Sequence, residues 1–235
     1  MDSTSPVASV TIKVERRAAT LVAGAIAGIL FAVLFSISLV LMITTMTDLK
    51  HDTGAWLATG ARQFEFAVEL IPFAGLFFLW FIAVARERLG RFEDQFFSTV
   101  FLGSGLLFLA MIFAAAATAG AMVASYAADP VRFVAGGTYL YARFVVAQIF
   151  NVYALRMAAV FLLSQATLWI RTGVMPRWMA FVTYAVAFVL MFIVTQSLWI
   201  ILVFPAWVFA VSVFILVTHP AEGKRPSPSD ANAAA

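Results

Sequence analysis

Apolar residues run along this chain in long, nearly unbroken blocks, with polar residues in short clusters between them. The blocks fall at about Ala18–Thr47, Phe64–Ala85, Phe97–Ala124, Tyr139–Ile170, Arg177–Thr195 and Leu198–Thr218. Each approaches or exceeds the roughly 20 residues that a membrane-spanning helix needs. A barrel strand would be about 10 residues long and would alternate apolar with polar positions. The pattern therefore predicts an all-α fold, a bundle of six transmembrane helices. Thr195-Gln196-Ser197 is the only polar break between the last two blocks, and it predicts a tight hairpin there. A break at Pro205 instead would leave a final helix too short to span.

Composition agrees. Of 235 residues, 63% are hydrophobic and 11% charged, and the mean hydropathy is +0.98. A soluble domain needs more charge than this to cover its surface. The net charge of +3 is small, and no basic stripe suggests nucleic acid. There are no cysteines, so disulfides, thiol nucleophiles, iron–sulfur clusters and thiolate metal sites are excluded. The two histidines, His51 and His219, lie outside the apolar blocks. That excludes a haem held by two histidines within the spans and a zinc-protease helix. No cofactor and no metal are expected.

Charge distribution sets the direction of the spans. Lys13, Arg16 and Arg17 precede the first, and Arg86, Arg88 and Arg91 follow the second. Arg171 and Arg177 separate the fourth and fifth, and Lys224 and Arg225 follow the last. The opposite loops hold Lys50, Arg62 and Arg132, while Arg143 and Arg156 lie inside the fourth block. The positive-inside rule then places both termini in the cytoplasm, in a bacterial plasma membrane. Residues 1–17 form a cytoplasmic N-terminal segment, 18–219 the transmembrane domain, and 220–235 a disordered tail rich in Pro, Ser and Ala. The first dozen residues are also expected to be disordered. The first span is too long for a signal peptide and lacks a cleavage pattern, so it reads as a permanent helix.

Small residues suggest how the spans pack. The first carries Gly24, Gly28, Ala32 and Ser36 at four-residue spacing, and the third carries Ala110, Ala114, Ala116, Ala117, Gly120 and Ala121. Such rows let a neighbouring backbone approach closely. They fit either a homodimer face or packing within one bundle, and their abundance in membrane helices favours the second. Gly103-Ser104-Gly105 superficially resembles an intramembrane serine-protease loop. With no histidine in any span, nothing is available to activate Ser104.

The chemistry worth pursuing lies in "AQIFNVYALRMAAVF" (Ala147–Phe161), where Arg156 sits deep in an apolar run. An arginine there costs at least ~2.5 kcal/mol to insert and so needs partners. The second, fourth and last spans run from outside to inside and end near Arg86, Arg171 and His219. Counting back from those ends at 1.5 Å per residue puts Glu69, Pro72, Arg156, Pro205 and Trp207 within about 8 Å in depth. Glu69 can pair with Arg156. Pro72 and Pro205 free the carbonyls of Val68 and Ile201, which can accept further bonds. Gln148, Asn151 and Arg156 share one helical arc, with Tyr153 just beyond it. This cluster is either a substrate site, or a structural pair that fixes bundle geometry. Two weaker candidates are Asp48, His51 and Asp52, which fall in one loop, and Asp94, a cap for the third helix. Asp52 or Thr53 is expected to start a helix leading into the second span.

Three stretches, "EDQFFSTVFLGSGLLF" (Glu93–Phe108), "RTGVMPRWMAFVTY" (Arg171–Tyr184) and "FPAWVFAVSVFIL" (Phe204–Leu216), resemble multi-pass membrane proteins of high-GC actinobacteria. The resemblance implies a six-helix integral membrane protein of the plasma membrane, and no activity comes with it. The expected function is a non-enzymatic scaffold or accessory subunit. The alternative is a small transporter or channel-like protein using the Glu69/Arg156 cluster. The expected partners are the lipid bilayer and either further copies of the chain or another membrane protein, with no nucleic acid.

Overall fold

The computed structural model describes residues 6–46, 54–89, 95–173, 175–192 and 198–218, all of them helices and the turns between them. The helices are α1 (Pro6–Thr45), α2 (Leu57–Leu89), α3 (Gln95–Ala128), the short α4 (Pro130–Ala135), α5 (Thr138–Gln148), α6 (Leu155–Thr172), α7 (Arg177–Phe192) and α8 (Val203–Thr218). A π-helical turn, Ile149–Ala154, joins α5 to α6, and a 3₁₀ turn, Leu198–Leu202, leads into α8. Among the described residues, five stretches are long and apolar enough to cross a membrane: Val22–Thr45, Leu57–Arg86, Phe96–Ala128, Thr138–Thr172 and Trp199–Thr218. Arg177–Phe192 is apolar but shorter.

Several expectations fall on residues outside those described. They are the Asp48, His51 and Asp52 cluster, the helix start at Asp52 or Thr53, the Asp94 cap, the hairpin at Thr195-Gln196-Ser197 and the tail after Pro220. The helix of the first span begins at Pro6, ahead of the expected Ala18, so residues 6–17 are helical rather than an irregular lead-in.

Small residues decide the packing. Alpha-carbon neighbours pair α1 with α2 and α8, α3 with α2 and α6, and α6 with α7. A Cβ on Gly28 would collide with Ser212 Oγ and the Phe81 ring, so α8 and α2 both close on α1 at that point. A Cβ on Gly75 would strike the Phe113 ring, which fixes α2 against α3. Ser38 Oγ donates to the carbonyl of Ala67 across 2.5 Å, a buried bond between α1 and α2. The small row of α1 is thus spent inside the bundle. On α3 the small residues divide. Ala115, Ala116 and Ala119 are buried, whereas Ala110, Ala114, Ala117 and Ala121 are exposed.

The middle of the bundle is a cluster of phenylalanines. Phe31 and Phe35 of α1, Phe78 and Phe81 of α2, Phe101 and Phe108 of α3, Phe161 of α6 and Phe204 of α8 are all buried. Their ring centroids lie 4.5 Å apart for Phe101 and Phe161, 5.5 Å for Phe78 and Phe161 and 4.6 Å for Phe108 and Phe204. Tilted and edge-on ring pairs of this kind add about 0.5–1.5 kcal/mol each beyond area burial. Five membrane-compatible segments therefore converge on one aromatic plug.

The two ends are tied differently. At one end Gly173, in the left-handed region at φ +64, stops α6, its N–H donating to the Trp169 carbonyl at 3.0 Å. Arg171 stands over the Phe97 ring, 4.6 Å from its centroid, linking α6 to the start of α3. At the other end Trp56 Nε1 donates to Tyr139 Oη across 2.8 Å, and the Phe133 ring meets Tyr139 edge-on. Gly54, at φ +76, lies where a Cβ would come within 3.3 Å of the Tyr139 ring.

Candidate functional site

The fourth span is interrupted where its polar residues concentrate. Leu155 N–H donates to the Phe150 carbonyl, five residues back, rather than to Asn151. The wide turn breaks the four-residue register of backbone bonds, a feature that often marks functional positions. Arg156 answers the break directly. Its Nη1 donates to the carbonyl of Val152 at 3.1 Å, so the side chain folds back one turn along its own helix. Long helical side chains lean toward the N-terminus in this way.

Asn151 sits inside the same turn. Its Oδ1 and Nδ2 are both buried, with no hydrogen-bond partner among the described residues. Gln148 and Tyr153 face outward, Tyr153 with 54% of its surface exposed. Arg156 is half-buried. Gln148, Asn151, Tyr153 and Arg156 are therefore neighbours along one helix, divided between its interior and its outer surface.

Glu69 stands elsewhere. It is exposed on α2, directly opposite the buried face that carries Phe78, because nine residues at about 100° each make a half-turn. Among the described residues no ion pair joins it to Arg156. Helix α3 packs against both helices, against α2 through Gly75 and Phe113 and against α6 through Phe101 and Phe161. Pro72 is exposed and Pro205 is buried. The pairing expected between Glu69 and Arg156 is not made within one chain, and the guanidinium takes the Val152 carbonyl in place of those of Val68 and Ile201.

Depth differs from the expectation as well. Phe204 lies beside Phe161, with centroids 6.1 Å apart. Pro205 is therefore level with the aromatic plug and about five residues, roughly 8 Å, from the level of Arg156 toward the C-terminal end of α6. Trp207, one half-turn further on, buries its Nε1 without a hydrogen-bond partner among the described residues.

Two other features complete the polar inventory. Ser104 Oγ donates to the carbonyl of Val100 at 2.7 Å, turned into its own helix. Among the described residues no three His, Asp or Glu side chains gather in a metal-binding group. The residue that sequence reasoning passed over is Arg143, only 2% exposed. It lies one turn beyond Tyr139 on α5. Its sequence signal is an arginine inside an apolar block, four residues after a tyrosine.

Comparison of the chain with known protein families, with curated proteins and with solved structures finds no match.

Proposed function

We propose that the protein is a non-enzymatic integral membrane protein, a scaffold or accessory subunit that acts by assembly within the bilayer. One observation carries this reading: the centre of the bundle is filled by phenylalanine rings, while Glu69 stands on the outer surface of its span. A membrane transporter arranges the reverse, with ionisable groups facing an interior path. The chain crosses the membrane six times, with both termini on the cytoplasmic side of a bacterial plasma membrane. Helix α7 supplies the fifth crossing, since its 16 residues rise about 24 Å, most of a roughly 30 Å core. The basic bias of the loops supports the orientation.

A second reading, a small transporter or channel-like protein, is favoured by one feature, the buried Asn151 amide in the π turn next to Arg156. Reconstitution separates the two. In vesicles loaded with a pH-sensitive dye and given a pH gradient and potassium, the purified protein is expected to leave the gradient as stable as in protein-free vesicles. A gradient that collapses with the native chain and is preserved by Glu69→Gln would instead establish transport.

A further inference from the structure

Glu69, exposed on α2, and Arg156, half-buried on α6, have complementary charge and do not meet within the chain. We propose that they meet between chains. A second copy, related by a two-fold axis normal to the membrane, would set Glu69 of each chain against Arg156 of the other. This deepens the assembly reading by naming the partner as the chain itself, and it rests on that reading.

Depth is the first support. Rotation about the membrane normal keeps every atom at its own level, so groups that pair between copies must already share a level. Phe78 and Phe161 provide a common reference, their rings 5.5 Å apart in the plug. Glu69 precedes Phe78 by nine residues on α2. The Arg156 guanidinium is held at the carbonyl of Val152, which precedes Phe161 by nine residues. Both charges therefore stand about 13 Å outward of the plug.

Lateral order is the second support. Helix α3 packs against both α2 and the fourth span, and its outer surface carries the exposed Ala110, Ala114, Ala117 and Ala121. A two-fold axis beside that ridge brings the two α3 helices close, as small residues permit. The same rotation exchanges left and right, so α2 of one copy faces the fourth span of the other on both flanks. An isologous interface then contains two equivalent Glu69–Arg156 pairs. Among the described residues one donor of Arg156 is engaged, with Val152, and a guanidinium has five. A carboxylate facing lipid is costly and an opposite charge offsets that cost, so charge complementarity selects a second copy as the occupant of this face.

Charge reversal tests the proposal. Glu69→Arg and Arg156→Glu are made in separate chains carrying different tags, and dimers are counted in dilute lipid vesicles by single-molecule photobleaching. The native chain is expected to dimerise. Each variant alone would place like charges at both pairs and should dimerise at least about tenfold more weakly, from the size of polar helix–helix contacts in membranes. Mixed together, the two variants restore both pairs and should form mixed dimers at the native level. A monomeric native chain, variants that dimerise alone as well as the native chain, or a mixture that fails to recover would overturn the pairing. A second measurement guards against variants that do not fold. With both charges intact, Leu76→Cys in one chain and Val160→Cys in another should join through a bifunctional maleimide, and absence of that product would also overturn it. A native monomer that leaves the vesicle gradient intact would reject this pairing alone and leave the assembly reading standing. Collapse of the gradient would reject the assembly reading, whatever the dimer count.

Discussion

The indole of Trp56 donates to the hydroxyl of Tyr139 across 2.8 Å. The bond fastens the turn before α2 to the first turn of α5, 83 residues further along the chain. Both residues are buried, Tyr139 to 1% exposure.

Tyr139→Phe keeps the ring but strands the buried indole N–H. We expect a loss of about 1–3 kcal/mol, the cost of an unsatisfied buried donor. Combining it with Trp56→Phe should cost less than the two single losses added together, because the second change removes the stranded group. Thermal unfolding in detergent, followed by tryptophan fluorescence for Tyr139→Phe and by circular dichroism for the set, reads both.

Ser212 Oγ is buried without a hydrogen-bond partner among the described residues, facing Gly28. Ser212→Ala should leave thermal stability unchanged or raise it, since it removes a desolvated hydroxyl. Gly28→Ala should lower the unfolding temperature by forcing a Cβ into Ser212 and Phe81, and Ser212→Gly should recover part of that loss. A Gly28→Ala variant as stable as the native chain would mean that α1 and α8 are not in contact there.

Phe161 touches three other rings of the plug, those of Phe78, Phe101 and Phe204, and its own ring closes on α3 at Gly105. Phe161→Ala should cost about 3–5 kcal/mol, the usual range for a large core truncation. Phe181, 64% exposed on α7, serves as the comparison, and Phe181→Ala should fall within about 0.5 kcal/mol of the native chain. Chemical unfolding in mixed micelles distinguishes them.

How far the sequence could reach is clear from particular residues. The long helices were legible because their apolar blocks are continuous, and the packing role of Gly24 and Gly28 because four-residue spacing fixes one helix face. The inner face of α2 was also within reach, since Ala67, Ile71, Ala74 and Phe78 recur on one side and Glu69 lies opposite. It went unread because a charge in an apolar block was assumed to point inward. The π turn left no trace in periodicity, as one extra residue merely rotates the polar positions that follow. The level of Pro205 depended on where α8 meets α6, which is a property of Phe161 and Phe204 together. No count along a single helix contains it.

Arg156→Leu removes the donor from the Val152 carbonyl, and the π turn should open more often. Hydrogen exchange at the amides of Asn151–Arg156 is expected to quicken by about three- to tenfold, matching ~1 kcal/mol for a lost hydrogen bond. Exchange at Phe161–Leu168 should not change. Equal acceleration in both stretches would show that Arg156 supports the whole helix rather than the turn.

The central claim is that the bundle is closed to water at its aromatic middle, and it has a direct test. The chain contains no cysteine, so Phe78→Cys, Phe161→Cys and the exposed Ala135→Cys each carry one thiol. A charged, membrane-impermeant thiosulfonate is applied to both faces of reconstituted vesicles, and modification is read by mass. The account predicts full modification of Ala135→Cys and none of Phe78→Cys or Phe161→Cys. Modification at either phenylalanine position would reveal a water path through the plug and contradict it.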